Sequence, residues 1–206
     1  EQHVLCYGDS TGSLTATAIG GTAPYSYSWS NGDTSAMIST LPAGPYSFTV
    51  TDVNGCNTSL DTVVLTTITP VDLQVNSVQS LTCFGDTNGY ADVQASGGNS
   101  SSYTYSWTGG LLGTTHTNLT AGVYVITVYD GYGCTDTATV SIQQPTQILV
   151  SETITDLVCN NDSSGEISIV TTGGVTPYDF SWSNGSNNDT LSNLSAGTYQ
   201  LTVVDD

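Results

Sequence analysis

Apolar and polar residues alternate in three closely related stretches: AGPYSFTVTD at Ala43–Asp52, AGVYVITVYD at Ala121–Asp130 and AGTYQLTVVD at Ala196–Asp205. In the first, Tyr46, Phe48 and Val50 fall on one side, and Ser47, Thr49 and Thr51 on the other. Tyr124, Ile126, Val128 and Tyr199, Leu201, Val203 repeat the apolar set. A period of two in β-branched and aromatic residues predicts a strand with one dry face and one wet face. The Ala-Gly ahead of each stretch supplies a tight turn, since Gly takes φ > 0 without steric cost.

The same landmarks set a longer period. Cys6, Cys83 and Cys159 stand 77 and 76 residues apart, and Trp29, Trp107 and Trp182 stand 78 and 75 apart. Such a unit is too long for a solenoid repeat and suits a small independent β domain. We expect a tandem array: 1–69 as repeat one without its first strand, 70–144 as a complete repeat two, and 145–206 as repeat three without its last strand. That pattern reads as a piece cut from a longer array.

Within repeat two, strands are expected over Val71–Val75, Tyr90–Ala95, Tyr103–Trp107 and the Ala121–Asp130 motif, with a last one from Cys134 to Gln143. A Gly-Gly break (Gly20-Gly21, Gly97-Gly98, Gly173-Gly174) precedes the aromatic strand. The stretch between that strand's Trp and Leu119 (Leu41 and Leu194 in the other repeats) reads as a loop. Short strands, Gly-rich turns and no helical period predict antiparallel β-sandwiches, immunoglobulin-like in plan, in an extended array. The Tyr-x-Tyr-x-Trp stripe is expected to pack in the core rather than stack on sugars. A Pro at the start of repeats two and three (Pro70, Pro145) limits bending between neighbours.

Composition changes the picture mainly by exclusion. The 206 residues contain no Lys or Arg against 18 Asp plus Glu, a formal charge of −18. There is no basic face to grip nucleic acid phosphates or anionic membranes. No side-chain salt bridges are expected, and any ionic stabilisation has to come from bound cations. No apolar run reaches membrane-spanning length, so no membrane insertion is expected.

The five cysteines sort by position into Cys6 with Cys56, Cys83 with Cys134, and Cys159 with a partner beyond Asp206. The two complete pairs enclose nearly equal spans, as intradomain disulfides of small secreted modules do. Zinc is disfavoured: there is no Cys-x-x-Cys, and His3 and His116 recur in no other repeat. His116 stands where Ile38 and Leu191 stand, which marks it as a packing variant.

Two acidic positions recur in every repeat, Asp9, Asp86, Asp162 and Asp52, Asp130, Asp205. Were the cysteines paired as above, both carboxylates could approach one end of the domain and share calcium. The competing reading is that each Asp caps its own turn. Otherwise no cofactor is expected. No recurrent His, no Gly-x-Ser-x-Gly and no Lys are present, so no enzyme activity is expected.

The combination Cys-x-Gly-Asp-x-x-Gly, Gly-Gly-x-x-Pro-Tyr-x-Tyr-x-Trp-Ser-Asn-Gly and Leu-x-Ala-Gly-x-Tyr-x-Φ-Thr-Val-x-Asp-x-x-Gly-Cys resembles the SprB-type repeat. Repeat one carries it almost throughout, from Gly20-Gly21 through Pro24-Tyr25 to Trp29-Ser30-Asn31-Gly32. Repeat three keeps Pro177-Tyr178 and Trp182-Ser183-Asn184-Gly185, whereas repeat two has Ser102-Tyr103 and Thr108-Gly109-Gly110. The resemblance implies a very large cell-surface protein of Bacteroidetes, exported by a type IX system and serving as an adhesive filament, as in gliding motility. Its partners would be neighbouring repeats of the same chain and a surface polysaccharide or other adhesion target. Bacteria of this group also attach O-glycans at Asp-(Ser/Thr)-apolar sites, which Thr62, Thr137 and Thr190 fit. A carbohydrate-binding module array and a self-assembling surface fibre are the alternatives. A sugar module would carry aromatics in its loops, and the stretches from Trp29 to Leu41 and from Trp107 to Leu119 have none between those residues.

Overall fold

Alternating side chains build strands throughout the computed structural model, which describes residues 1–159 and 161–206. Among the described residues every regular element is a strand. Residues 1–69 hold β1 (Gly12–Thr15), β2 (Ser26–Trp29), β3 (Met37–Leu41), β4 (Gly44–Thr51) and β5 (Asn57–Leu65). Residues 70–144 hold β6 (Val71–Gln79), β7 (Gly89–Gly97), β8 (Tyr103–Trp107), β9 (Thr115–Leu119), β10 (Gly122–Asp130) and β11 (Thr135–Ile142). The remainder holds β12 (Leu149–Thr155), β13 (Gly165–Thr172), β14 (Tyr178–Trp182), β15 (Thr190–Leu194) and β16 (Leu201–Asp205).

These strands form six small sheets, in the orders β1-β3 and β2-β4-β5, β6-β7-β9 and β8-β10-β11, β12-β13-β15 and β14-β16. The plan is that of small antiparallel, immunoglobulin-like sandwiches in tandem. Compact packing groups Glu1–Val78, Ala91–His116 and Val123–Val140 in one unit, and Gln79–Tyr90, Thr117–Gly122 and Ser141–Asp206 in another.

In the first unit, Trp29 of β2 is buried with Leu14 of β1, Ile38 and Leu41 of β3, Tyr46 of β4 and Leu65 of β5. The aromatic stripe is therefore core, as its alternation predicts. Trp29 donates its indole N–H to the Ser35 carbonyl at 2.8 Å, and Trp107 donates to Gly113 at 2.8 Å. Each buried ring thus has its one polar atom satisfied. His116 packs edge-on against Trp107, ring centroids 4.7 Å apart, with its Nε2 buried and unpartnered. It fills a hydrophobic position, as expected. In the second unit, Trp182, Ile169, Leu191 and Leu194 form the equivalent cluster, and Trp182 donates to Asn188 at 2.8 Å.

One expectation needs correction. The stretch after each Trp, read as a loop, ends in a strand: β3, β9 or β15. Its apolar residues, Ile38 with Leu41 and Leu191 with Leu194, are three apart rather than two. A residue at positive φ between them (Thr40 at 57°, Asn193 at 56°) bulges the strand and turns both side chains inward. His3 Nδ1 accepts from the Thr66 N–H at 3.1 Å, and its Nε2 lies 3.7 Å from Glu1 Oε1.

Candidate functional site

The recurrent cysteine and aspartate positions belong to two kinds of turn. The first is the loop ahead of β1, β7 and β13. In each copy the Asp N–H donates to the Cys carbonyl: Asp9 to Cys6 at 3.2 Å, Asp86 to Cys83 at 3.3 Å, Asp162 to Cys159 at 3.2 Å. A residue six positions along ties the loop shut, since Thr11 Oγ1 accepts from Leu5 N–H at 3.0 Å and Ser164 Oγ from Val158 N–H at 3.1 Å. The left-handed position is Gly8, Gly85 or Asn161, the residue types that tolerate it. Asn160 of the third loop lies outside the described residues.

The second is the turn that closes β4 and β10. Asp52 Oδ1 accepts from the N–H groups of Asn54 and Cys56, both at 2.9 Å, while its Oδ2 accepts from Thr22 at 3.0 Å. Asp130 repeats this with Tyr132 and Cys134, both at 2.9 Å, and with Asn99 at 2.8 Å. Asp205 Oδ2 accepts from Val175 at 2.7 Å. The carboxylate is a clasp holding the Gly-Gly break against the turn. Its lone pairs are directed at backbone donors, as a cap's would be. The Thr22 N–H contributes most to holding Asp52 below the usual aspartate range. Burial pushes Asp130 up, but the N–H groups of Asn99, Cys134, Tyr132 and Gly133 outweigh it and hold it down as well.

Loop and turn lie at opposite ends of their sandwich. In the first repeat, Gly12 at the loop end faces Leu41 and approaches Leu65, which pairs with Gly44 at the start of β4. The turn follows Thr51, at the far end of the eight-residue β4. Those residues span roughly 23 Å, whereas a disulfide needs Cα atoms within about 7 Å. The expected Cys6–Cys56 bridge therefore cannot form, nor can Asp9 and Asp52 share one end of the domain. Among the described residues no group of three or more His, Cys, Asp or Glu is gathered that could hold a metal ion.

The disulfide that does form joins Cys6 to Cys134, with Cα atoms 5.4 Å apart and 128 residues between them in sequence. It crosses from the loop of the first repeat to the turn of the second. This also overturns the expected Cys83–Cys134 pair, leaving Cys56, Cys83 and Cys159 as exposed thiols. Beside the bridge, Asn99 Nδ2 donates to the Leu5 carbonyl at 3.1 Å, and Cys134 Sγ lies 3.4 Å from that oxygen. Asn99 escaped the sequence reading because Thr22 and Val175 stand at its place in the other repeats. Docking buries Cys134 to 6% exposure, whereas Cys56, in the same turn geometry, is open to solvent.

Thr62 on β5, Thr137 on β11 and Thr190 on β15 are all exposed and all on edge strands. The Asp136 carboxylate accepts from Leu73 N–H at 2.8 Å, and the Asp61 side chain lies outside the described part of the chain.

Comparison with known proteins gives one family and several distant folds. No curated protein matches the chain. Among solved structures it is similar to the three N-terminal domains of the bacteriophage RB49 highly immunogenic outer capsid protein, at 15% identity, 84% of this chain and 74% of that chain covered, TM-score 0.39. It is also similar to the amphioxus IgVJ-C2 molecule (17% identity, 66% and 97% covered, TM-score 0.29). Domains 1–6 of surface layer protein SbsC match at 14% identity over 89% of this chain and 33% of that chain, TM-score 0.30. At these scores the three likenesses add nothing to what the strands themselves show. The family match is stronger, because a model described as SprB repeat fits residues 2–34, 75–112 and 151–187, one segment in each copy of the motif set. Over half of its length is matched in this way, and the chain belongs to the SprB repeat family.

Proposed function

We propose that these residues are an extracellular, structural and adhesive tandem-repeat segment of a large bacterial cell-surface protein, used for surface attachment or gliding. The repeats run 1–69, 70–144 and 145–206, with neighbouring repeats as their first partners and a surface polysaccharide as the adhesion target. The observation that carries the reading is the covalent bond between two copies of the repeat, Cys6 to Cys134. A disulfide of this kind persists in oxidising compartments outside the cytosol, and it resists separation of adjacent modules under load. The absence of Lys and Arg and the charge of −18 support it, since like-charged segments stay soluble and do not clump. The carboxylates of Asp52, Asp130 and Asp205 are engaged in backbone clasps, which suits a structural module rather than an enzyme. O-glycans on Thr62, Thr137 and Thr190 would blunt edge strands that otherwise invite pairing.

Beads coated with the folded chain test the adhesive part. Retention on a film of the producing cell's surface polysaccharide under flow, abolished by soluble chain, is the expected result. Retention no greater than that of beads carrying an unrelated acidic β protein would sink it. Antibody labelling of intact, unpermeabilised cells tests the location separately.

A further inference from the structure

One carboxylate prepares the seat of the Cys6–Cys134 bond. Asp130 Oδ2 accepts from the Asn99 backbone N–H at 2.8 Å, and its Oδ1 accepts from the Cys134 N–H at 2.9 Å, so a single group fixes both residues. Both then meet one atom of the first repeat. The Leu5 carbonyl oxygen accepts from Asn99 Nδ2 at 3.1 Å and lies 3.4 Å from Cys134 Sγ. Leu5 is itself held, because its N–H donates to Thr11 Oγ1 at 3.0 Å. The turn of the first repeat is built alike: Asp52 accepts from the Thr22 N–H at 3.0 Å and from the Cys56 N–H at 2.9 Å. In the third, Asp205 accepts from the Val175 N–H at 2.7 Å. What differs is the side chain at that place. Asn99 carries an amide donor long enough to reach Leu5, Thr22 a hydroxyl closer to its own backbone, and Val175 no donor at all.

We propose that Asn99 selects the turn of the second repeat as the seat for the Cys6 loop, and that loop and turn dock before the S–S bond forms. Asn99 is a positioning residue: its amide holds the Leu5 carbonyl on the turn, which brings Cys6, the next residue, beside Cys134. The bond then closes inside an existing contact, where the two sulfurs meet at a high effective concentration. In closure the two thiols lose two protons and two electrons as the S–S bond forms. A low-molecular-weight disulfide takes them up and is reduced to two thiols through a mixed-disulfide intermediate. A neutral amide–carbonyl hydrogen bond is worth a factor of about three to ten in such an equilibrium. Adhesion plays no part in it, so bead retention can fail while this selection holds.

The test uses the full chain carrying C56S, C83S and C159S, which leaves Cys6 and Cys134 as the exchanging pair; those three positions are exposed, so serine there leaves the core untouched. This parent is equilibrated under native conditions with mixtures of reduced and oxidised glutathione, then quenched in acid and alkylated. The oxidised fraction, read by mass, gives the effective concentration of the two thiols. Asn99→Thr puts the first repeat's residue in place and keeps the backbone clasp on Asp130. It should lower the effective concentration about threefold to tenfold. Asn99→Asp, nearly equal in size but with an acceptor where the donor stood, should lower it at least as far, and Thr22→Asn should leave it unchanged. Instability shared by the oxidised and reduced chains cancels from this equilibrium, so a merely structural role would not move it. A value within about twofold of the parent in either Asn99 variant would overturn the proposal. So would a fall in Thr22→Asn as large as that in Asn99→Thr.

Discussion

At the scale of the residue, the aspartate ending each opening motif does the most structural work per atom. Asp130 is 6% exposed and accepts from three backbone N–H groups of two separate segments. An Asn there would turn an NH₂ toward a backbone donor. We expect D130N to destabilise the fold by about 1–3 kcal/mol in a urea titration. The pH dependence has a definite sign. Asp52 and Asp130 are both held below the ordinary 3.8, so their stabilisation is complete above that value and disappears as pH falls through the lower folded values. Melting temperature should therefore hold down to about that pH and drop below it, with a shallower drop in D130N. The recurrence of this Asp was visible in sequence, but its purpose was not. Its partners Thr22, Asn99 and Val175 share only a backbone N–H, which no residue type advertises.

At the scale of the element, strands obeying a strict period of two were legible, and those departing from it were not. The aromatic strands and the strands of the opening motif lie where alternation put them. β3, β9 and β15 were missed because a bulge moves their apolar residues to a spacing of three. The bulge residue is Asn118 or Asn193 in two copies and Thr40 in the first. A β-branched side chain at φ 57° is strained where Asn is tolerated. Thr40→Asn should accordingly stabilise the chain by about 1 kcal/mol, read as a higher denaturation midpoint. At Gly98 the opposite holds: φ is 71° and an added Cβ would come within 2.8 Å of Asp130 Oδ2, so both backbone and packing demand glycine.

At the scale of the whole molecule, the disulfide pattern decides how repeats are connected. The Cys6–Cys134 bond predicts three titratable thiols in the native chain, where two intradomain bridges would leave one. A thiol count under non-reducing conditions separates the two. Closing a loop of this length contributes up to about 5 kcal/mol in the chain-entropy account, so Cys6→Ser should lower the denaturation midpoint markedly. Equal spans concealed this bond: four strands, β1 to β4, separate Cys6 from Cys56, and only their pairing shows that loop and turn end up apart.

Local pattern alone determined that the chain is all-β, that one motif set recurs three times, and that the tryptophans are core, because alternation and turn chemistry act over a few residues. The partner of each cysteine, the donors to each aspartate and the bulged strands were decided only by tertiary structure. Each of those depends on which strand ends meet in space, and residues far apart in the chain settle that.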